Sequence, residues 1–112
     1  MAASPELIDQ YWEELRACLR SEVAMWSAMS PSDIRARLQG RANNYDVAFC
    51  GNAYGVVAEL LDECDSRLTL MLEVQPASED RISIMAVPRP PGPGGWTDRQ
   101  MAIASEIFDI QK

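Results

Sequence analysis

The sequence predicts an α+β fold: an antiparallel sheet of three to four strands, with a long N-terminal helix and a C-terminal helix packed on one face. Three observations carry this expectation. A stretch of more than twenty residues near the start has no internal glycine or proline and repeats its apolar residues every three or four positions. In residues 67–74, Leu68, Leu70, Leu72 and Val74 alternate with Arg67, Thr69, Met71 and Glu73, a period of two over eight residues. The stretch "PRPPGPGGW" then separates a further alternating segment from a last one with helical spacing. The expected order is α-α-β-β-β-β-α.

The first helix is expected over 4–29. Ser4 can cap it, Pro5 sits where a missing N–H costs nothing, and Glu6 complements the positive end of the dipole. Ile8, Tyr11, Trp12, Leu15, Cys18, Leu19, Val23, Met25, Trp26 and Met29 form a wide apolar stripe, enough to cover a sheet and touch a second element. Glu22 lies beside that stripe, where a fully buried carboxylate would need an arginine partner; its expected place is the rim. A second helix follows over 31–39. Ser30 is its cap, Pro31 its first residue and Asp33 the acid three on. Met29 and Ile34 have staple spacing, and Gly40 suits a left-handed C-terminal cap.

Tyr45, Val47 and Phe49 alternate with polar or small residues, predicting a strand over 45–50 that ends at Gly51. Residues 56–62 fit a strand or a helix; the strand is preferred because a sheet partner follows directly. That partner is 67–75, with Leu68, Leu70, Leu72 and Val74 on one face. "QPASED" is expected to turn the chain into a fourth strand over 81–87, with Ile82, Ile84 and Ala86 on one face. Pro88 would end that strand, since proline cannot donate to a ladder. Residues 88–96 then read as a connecting loop. Thr97 with Gln100 and Trp96 with Met101 have capping-box and staple spacing, predicting a final helix over 98–110 through Ile103, Ala104, Ile107 and Phe108.

The 112 residues suit one domain with one core. The net charge is −7, from 17 acids against 10 bases, and Lys112 is the only lysine. Such a chain repels phosphate backbones, so nucleic acid is not expected as a partner, whereas a basic protein is. No run approaches 18 apolar residues and "MAASPELIDQ" has no basic or apolar leader character, so no membrane role and a cytoplasmic location are expected. The cysteines, Cys18, Cys50 and Cys64, are odd in number and form no C-x-x-C pair, which argues for reduced thiols.

The chain contains no histidine. Ser–His–Asp and Cys–His machinery are thereby excluded, and the commonest general base and metal ligand is missing. The cysteine spacing does not fit a structural zinc site, so neither a metal nor a cofactor is expected. Cys50, in "AFCGNAYG", would need a group to lower its pKa before acting as a nucleophile, and only Arg41 stands near it in sequence. "ELLDECD" concentrates Glu59, Asp62, Glu63 and Asp65 in a solvated turn, suited to meeting a basic partner but not to acid–base catalysis. "GPGG" lacks the lysine and hydroxyl of a phosphate loop, and "PRPP" carries only a short polyproline spacing.

These features lead to an expected non-enzymatic protein-binding module of inhibitor, immunity, adaptor or secretion-chaperone type. Glu59, Asp62, Glu63, Asp65, Trp12 and Trp26 are its candidate contact residues, and self-association into a homo-oligomer is compatible with the wide stripe. The alternative is a small-molecule-binding or sensor domain, with a site between sheet and helices near Tyr45, Cys50, Asn52 and Tyr54.

Overall fold

The computed structural model describes residues 4–85 and 102–112. Helix α1 runs Pro5–Ser27, with the Ser4 hydroxyl accepting from the Leu7 N–H at 3.2 Å. Helix α2 runs Pro31–Leu38, where Ser30 caps the Asp33 N–H in the same way. The left-handed residue that closes α2 is Gln39 (φ 51°), one position before the expected Gly40, and Gly40 continues the reversal at φ 124°.

Strand β1 (Ala42–Phe49) and strand β2 (Asn52–Glu63) both begin before their expected starts. The reason is their turn. Cys50 and Gly51 have φ of 51° and 78°, a two-residue connection of the mirror-image kind that matches strand twist. Residues from Asn52 onward can therefore pair at once. The segment that read as strand or helix is strand. Strand β3 covers Arg67–Pro76.

Two later segments exchange type relative to the sequence reading. Residues Glu79–Met85, with 79–80 expected in the turn and 81–85 in a strand, form helix α3; residues Ala104–Gln111, expected through 110 within the last helix, form strand β4. For α3 the cause is local. The Ser78 hydroxyl accepts from the Arg81 N–H at 3.4 Å and its carbonyl accepts from Ile82, while Glu79 and Asp80 sit in the first turn where acids are favoured. For β4 the cause is tertiary. The free edge of β3 needs a partner, and Ile107, Phe108 and Ile110 favour a pleated surface. Pro88, the 88–96 loop and the Thr97–Gln100 and Trp96–Met101 signals lie outside the described residues.

The sheet is an antiparallel meander ordered β1-β2-β3-β4. Leu68, Leu70, Leu72 and Val74 of β3 are fully buried, beside Tyr54, Val56 and Ala58 of β2 and Ile110 of β4. Helix α1 lies over β3 and β4, α2 over β1 and β2, and α3 against α1 and β3. Leu15, Leu19, Trp26, Ile34, Leu38 and Met85 fill the space between the layers. The α+β class, the antiparallel sheet and the helical cover on one face thus follow the sequence. No helix among the described residues is long and apolar enough to cross a membrane.

One irregularity decides where charge goes. Leu60 pairs with Leu70 but Asp62 with Thr69, so Leu61 is an extra residue in β2, a β-bulge. Without it, strict alternation would set the Asp62 carboxylate opposite the fully buried Leu68. The two sheet faces therefore respond differently to truncation. Leu70→Ala should destabilise by about 2–5 kcal/mol, whereas Ile107→Ala, 62 % exposed on the other face, should stay within about 0.5 kcal/mol. Urea denaturation of both variants at equal slope checks this.

Candidate functional site

Between the helices and the sheet, two glutamates of α1 each take a tyrosine hydroxyl from a strand. Glu22 is buried, not on the rim as its sequence position suggested, and its donor is a phenol instead of an arginine. The Tyr45 hydroxyl donates to Glu22 at 2.7 Å and accepts from the Trp26 indole at 2.8 Å, while the Arg37 guanidinium lies over both rings at 5.2 and 5.0 Å. Burial and the bond to Glu22 push the Tyr45 phenol well above its usual range.

The second glutamate, Glu14, was not among the candidates from the sequence. One carboxylate oxygen accepts from the Tyr54 hydroxyl, from Asn52 at 2.8 Å and from Arg81 of α3 at 3.0 Å. Arg81 also donates to the Tyr54 hydroxyl and stacks on Tyr11, 4.1 Å from its ring centre. Partial burial alone would raise the Glu14 pKa, but the bonds from Tyr54 and Asn52 and the Arg81 charge outweigh it and hold the carboxyl below 4.5. Burial and the Glu14 carboxylate push the Tyr54 phenol up in turn.

The alternative ligand set is thus divided. Tyr45 belongs to the Glu22 network, Asn52 and Tyr54 to the Glu14 network, and Cys50 stands exposed at the tip of the β1–β2 turn. The polar groups of Tyr45, Asn52 and Tyr54 are already engaged by the chain itself. Cys18 is buried, and burial raises its thiol to about 11. Cys64 is held below its usual value by bonds with Ser66 in the β2–β3 turn. Among the described residues no group of His, Cys, Asp or Glu side chains could hold a metal ion.

The acidic cluster is divided as well, by the Leu61 bulge. Glu59 and Asp62 project from the sheet face away from the helices, opposite Met71 and Thr69 of β3. Glu63 points to the helix side, paired with Arg35 of α2 and with Lys112 at 2.9 Å, and so ties the chain end to the second helix. Asp65 is exposed in the turn. Trp26 is fully buried, which removes it from any contact surface. Trp12 is half-buried beneath Arg16, beside a shallow cavity of about 430 Å³ between α1 and the start of β4.

What the sequence did not reveal is the composition of the far sheet face. Register aligns Ala42, Glu59, Met71 and Ile107 across the four strands, and Asn44, Val57, Glu73 and Ser105 in the next row. Asp46, Gly55 and Gln75 form a third row. None of Val57, Leu61, Met71 and Ile107 belongs to the core cluster, and Leu61 and Ile107 are 37 % and 62 % exposed. Met71 and Ile107 thus adjoin, with Val57 diagonal to Met71, on a face whose charged groups among the described residues are Asp46, Glu59, Asp62, Glu73 and Asp109, with Arg67 beside Asp109 at 3.9 Å. On the same face a cavity of about 370 Å³ opens over Gly55, lined by Asn44, Asp46, Val57, Glu73, Gln75 and Ile103.

Comparison with protein-family models, with characterised proteins and with solved structures finds no match to this chain.

The Glu14 network has a pH signature. Its folded pKa lies below 4.5, so the stabilisation it contributes is fully present above that value and is lost as pH falls through the folded pKa. Wild type should therefore lose stability more steeply than Glu14→Gln on acidification below about pH 4.5, and the two should run parallel at neutral pH. Chemical denaturation midpoints across pH 2.5–7, an acidic window chosen to bracket ordinary carboxylate titration, read this out.

Proposed function

We propose that this chain is a small, acidic, non-enzymatic protein-binding module, of the inhibitor, immunity, adaptor or secretion-chaperone type, acting in the cytoplasm on a basic protein. The observation that carries the reading is the sheet face turned away from the helices. Its Val57, Met71 and Ile107, interspersed with five carboxylates of the described residues, have the composition of a contact surface: apolar anchors with charge among them. Scattered exposed hydrophobics need no explanation, but here Met71 and Ile107 adjoin on neighbouring strands and Val57 lies diagonal to Met71.

The division of labour follows from position. Glu59 and Asp62 belong to the far sheet face, and their charge would speed encounter with a cationic partner. Glu63 is committed to Arg35 and Lys112, so its reversal would disturb the fold before it disturbed docking. Trp12 belongs to the other side of the molecule, and Trp26 serves the core.

Affinity capture from the native host, with wild type, Ile107→Asp and Glu13→Arg as baits, tests the reading. Glu13 is exposed on α1 and serves as the control. A basic protein retained by wild type and by Glu13→Arg but lost from Ile107→Asp is the expected result. On that partner, Asp62→Arg should slow association by about tenfold or less and flatten its salt dependence. Identical capture by wild type and Ile107→Asp would remove the sheet face from the function.

A further inference from the structure

We infer that the hollow over Gly55 is a seat for a single arginine side chain of the partner protein, the anchor that orients it on the acidic sheet face. The inference rests on the docking role of that face and specifies its chemistry.

The hollow exists because β2 carries a glycine in mid-strand. Nothing in the backbone requires it: Gly55 is not among the positive-φ residues, and an added Cβ would lie 3.9 Å from its nearest neighbours, an ordinary contact. Glycine weakens a strand interior and leaves no side chain to pack, so an unforced one marks a place where another group comes close. Here the missing side chain opens the row between Asp46 of β1 and Gln75 of β3. The diagonal neighbours Asn44 and Glu73 complete the walls, and Val57 supplies an apolar side.

The lining selects the occupant. Two carboxylates and two carboxamide oxygens, one of each from β1 and one of each from β3, present acceptors from both sides of Gly55. An ammonium offers three donors at a point. A guanidinium offers five in a plane, can engage one carboxylate with two parallel bonds, and still reaches a second acceptor. Its methylene stem would lie along Val57 and Ile103. Strands two apart are separated by about 10 Å, which sets the Asp46 and Glu73 backbones far enough apart for a planar group to enter between their side chains. The cavity, about 370 Å³, is ample for one long side chain and its waters.

The test uses N-acetyl-arginine methylamide and its lysine counterpart as probes, titrated into the isotope-labelled full chain and followed by amide NMR shifts. The arginine probe should shift Gly55, Asp46 and Gln75 in a saturable way, with millimolar affinity, and the lysine probe should bind several-fold more weakly. Gly55→Val fills the hollow with a residue that strands favour; it should fold as wild type and lose at least tenfold in arginine-probe affinity. Glu73→Gln keeps the shape and should weaken binding by about fivefold. Unchanged affinity in a folded Gly55→Val, or no shift in this row, overturns the arginine seat. The capture experiment distinguishes the two failures: a partner lost from Ile107→Asp without probe binding at Gly55 keeps the docking face and removes the seat. Probe binding at Gly55 with capture indifferent to Ile107 removes the docking face and leaves an arginine-binding hollow that is not the partner's anchor, which overturns the inference as stated.

Discussion

The alternation of β3 is the constraint from which the rest of the molecule follows. Leu68, Leu70, Leu72 and Val74 all point one way and are fully buried, while Thr69, Met71 and Glu73 point the other. A period of two leaves no choice of face, since a slip of one residue would expose the whole leucine row. Each of those side chains removed from water contributes on the order of 1.5–3 kcal/mol, so the helices must gather on that side. Both neighbours of β3 adopt its polarity: Tyr54, Val56 and Ala58 in β2, Ile110 in β4. The Leu61 bulge then sends Asp62 to the far face and sets Glu63, paired with Arg35 and Lys112, opposite Leu68 in its place.

Hydrophobic burial attracts α1 to the sheet but does not say where along it to stop. The two glutamate–tyrosine contacts supply that information. Glu14 and Glu22 are eight residues apart, a little over two helical turns, and so lie on one face of α1. Each meets a tyrosine from a different strand, Tyr54 of β2 and Tyr45 of β1. Sliding α1 by one turn would leave a partly buried carboxylate and two hydroxyls without partners, a penalty larger than any single apolar contact regained. Arg81 extends the same lock to α3, which is too short to hold its place by packing alone.

Legibility in the sequence followed the length and purity of the local pattern. Ser4–Pro5, Ser30–Pro31 and the eight-residue alternation of β3 each state one structure, and the chain adopts it. The last third does not speak so plainly. Arg81, Ile82, Ser83, Ile84 and Met85 alternate well enough for a strand, and only the cap formed by Ser78 with its two following acids says helix. Ala104, Ile107 and Phe108 have helical spacing, yet the unpaired edge of β3 outweighs it. For the site, charge was legible and facing was not. "ELLDECD" reads as one acidic patch until the bulge sends Glu59 and Asp62 to one face and Glu63 to the other. Gly55 carried no signal of its own, because its meaning depends on Asp46 and Gln75, nine positions before it and twenty after.

Acids among exposed apolar side chains have two physical effects, and the arrangement here separates them. As solubilising groups they need only be near those side chains, and any position on the face would serve. A recognition surface needs more, since specificity comes from acceptors converging where one donor group can reach them all. Glu59, beside Met71, and the exposed Asp62 fit the first description. Asp46 and Glu73 fit the second. Asp46 lies beside Gly55, the glycine within the described strands, and Glu73 lies diagonal to it, with two carboxamides completing the ring. A chain selected only to stay soluble gains nothing from a mid-strand glycine, which costs roughly 0.5–1 kcal/mol against alanine where the backbone does not need it. That cost, incurred on an inner strand beside Asp46 and diagonal to Glu73, gives the far face the character of a site.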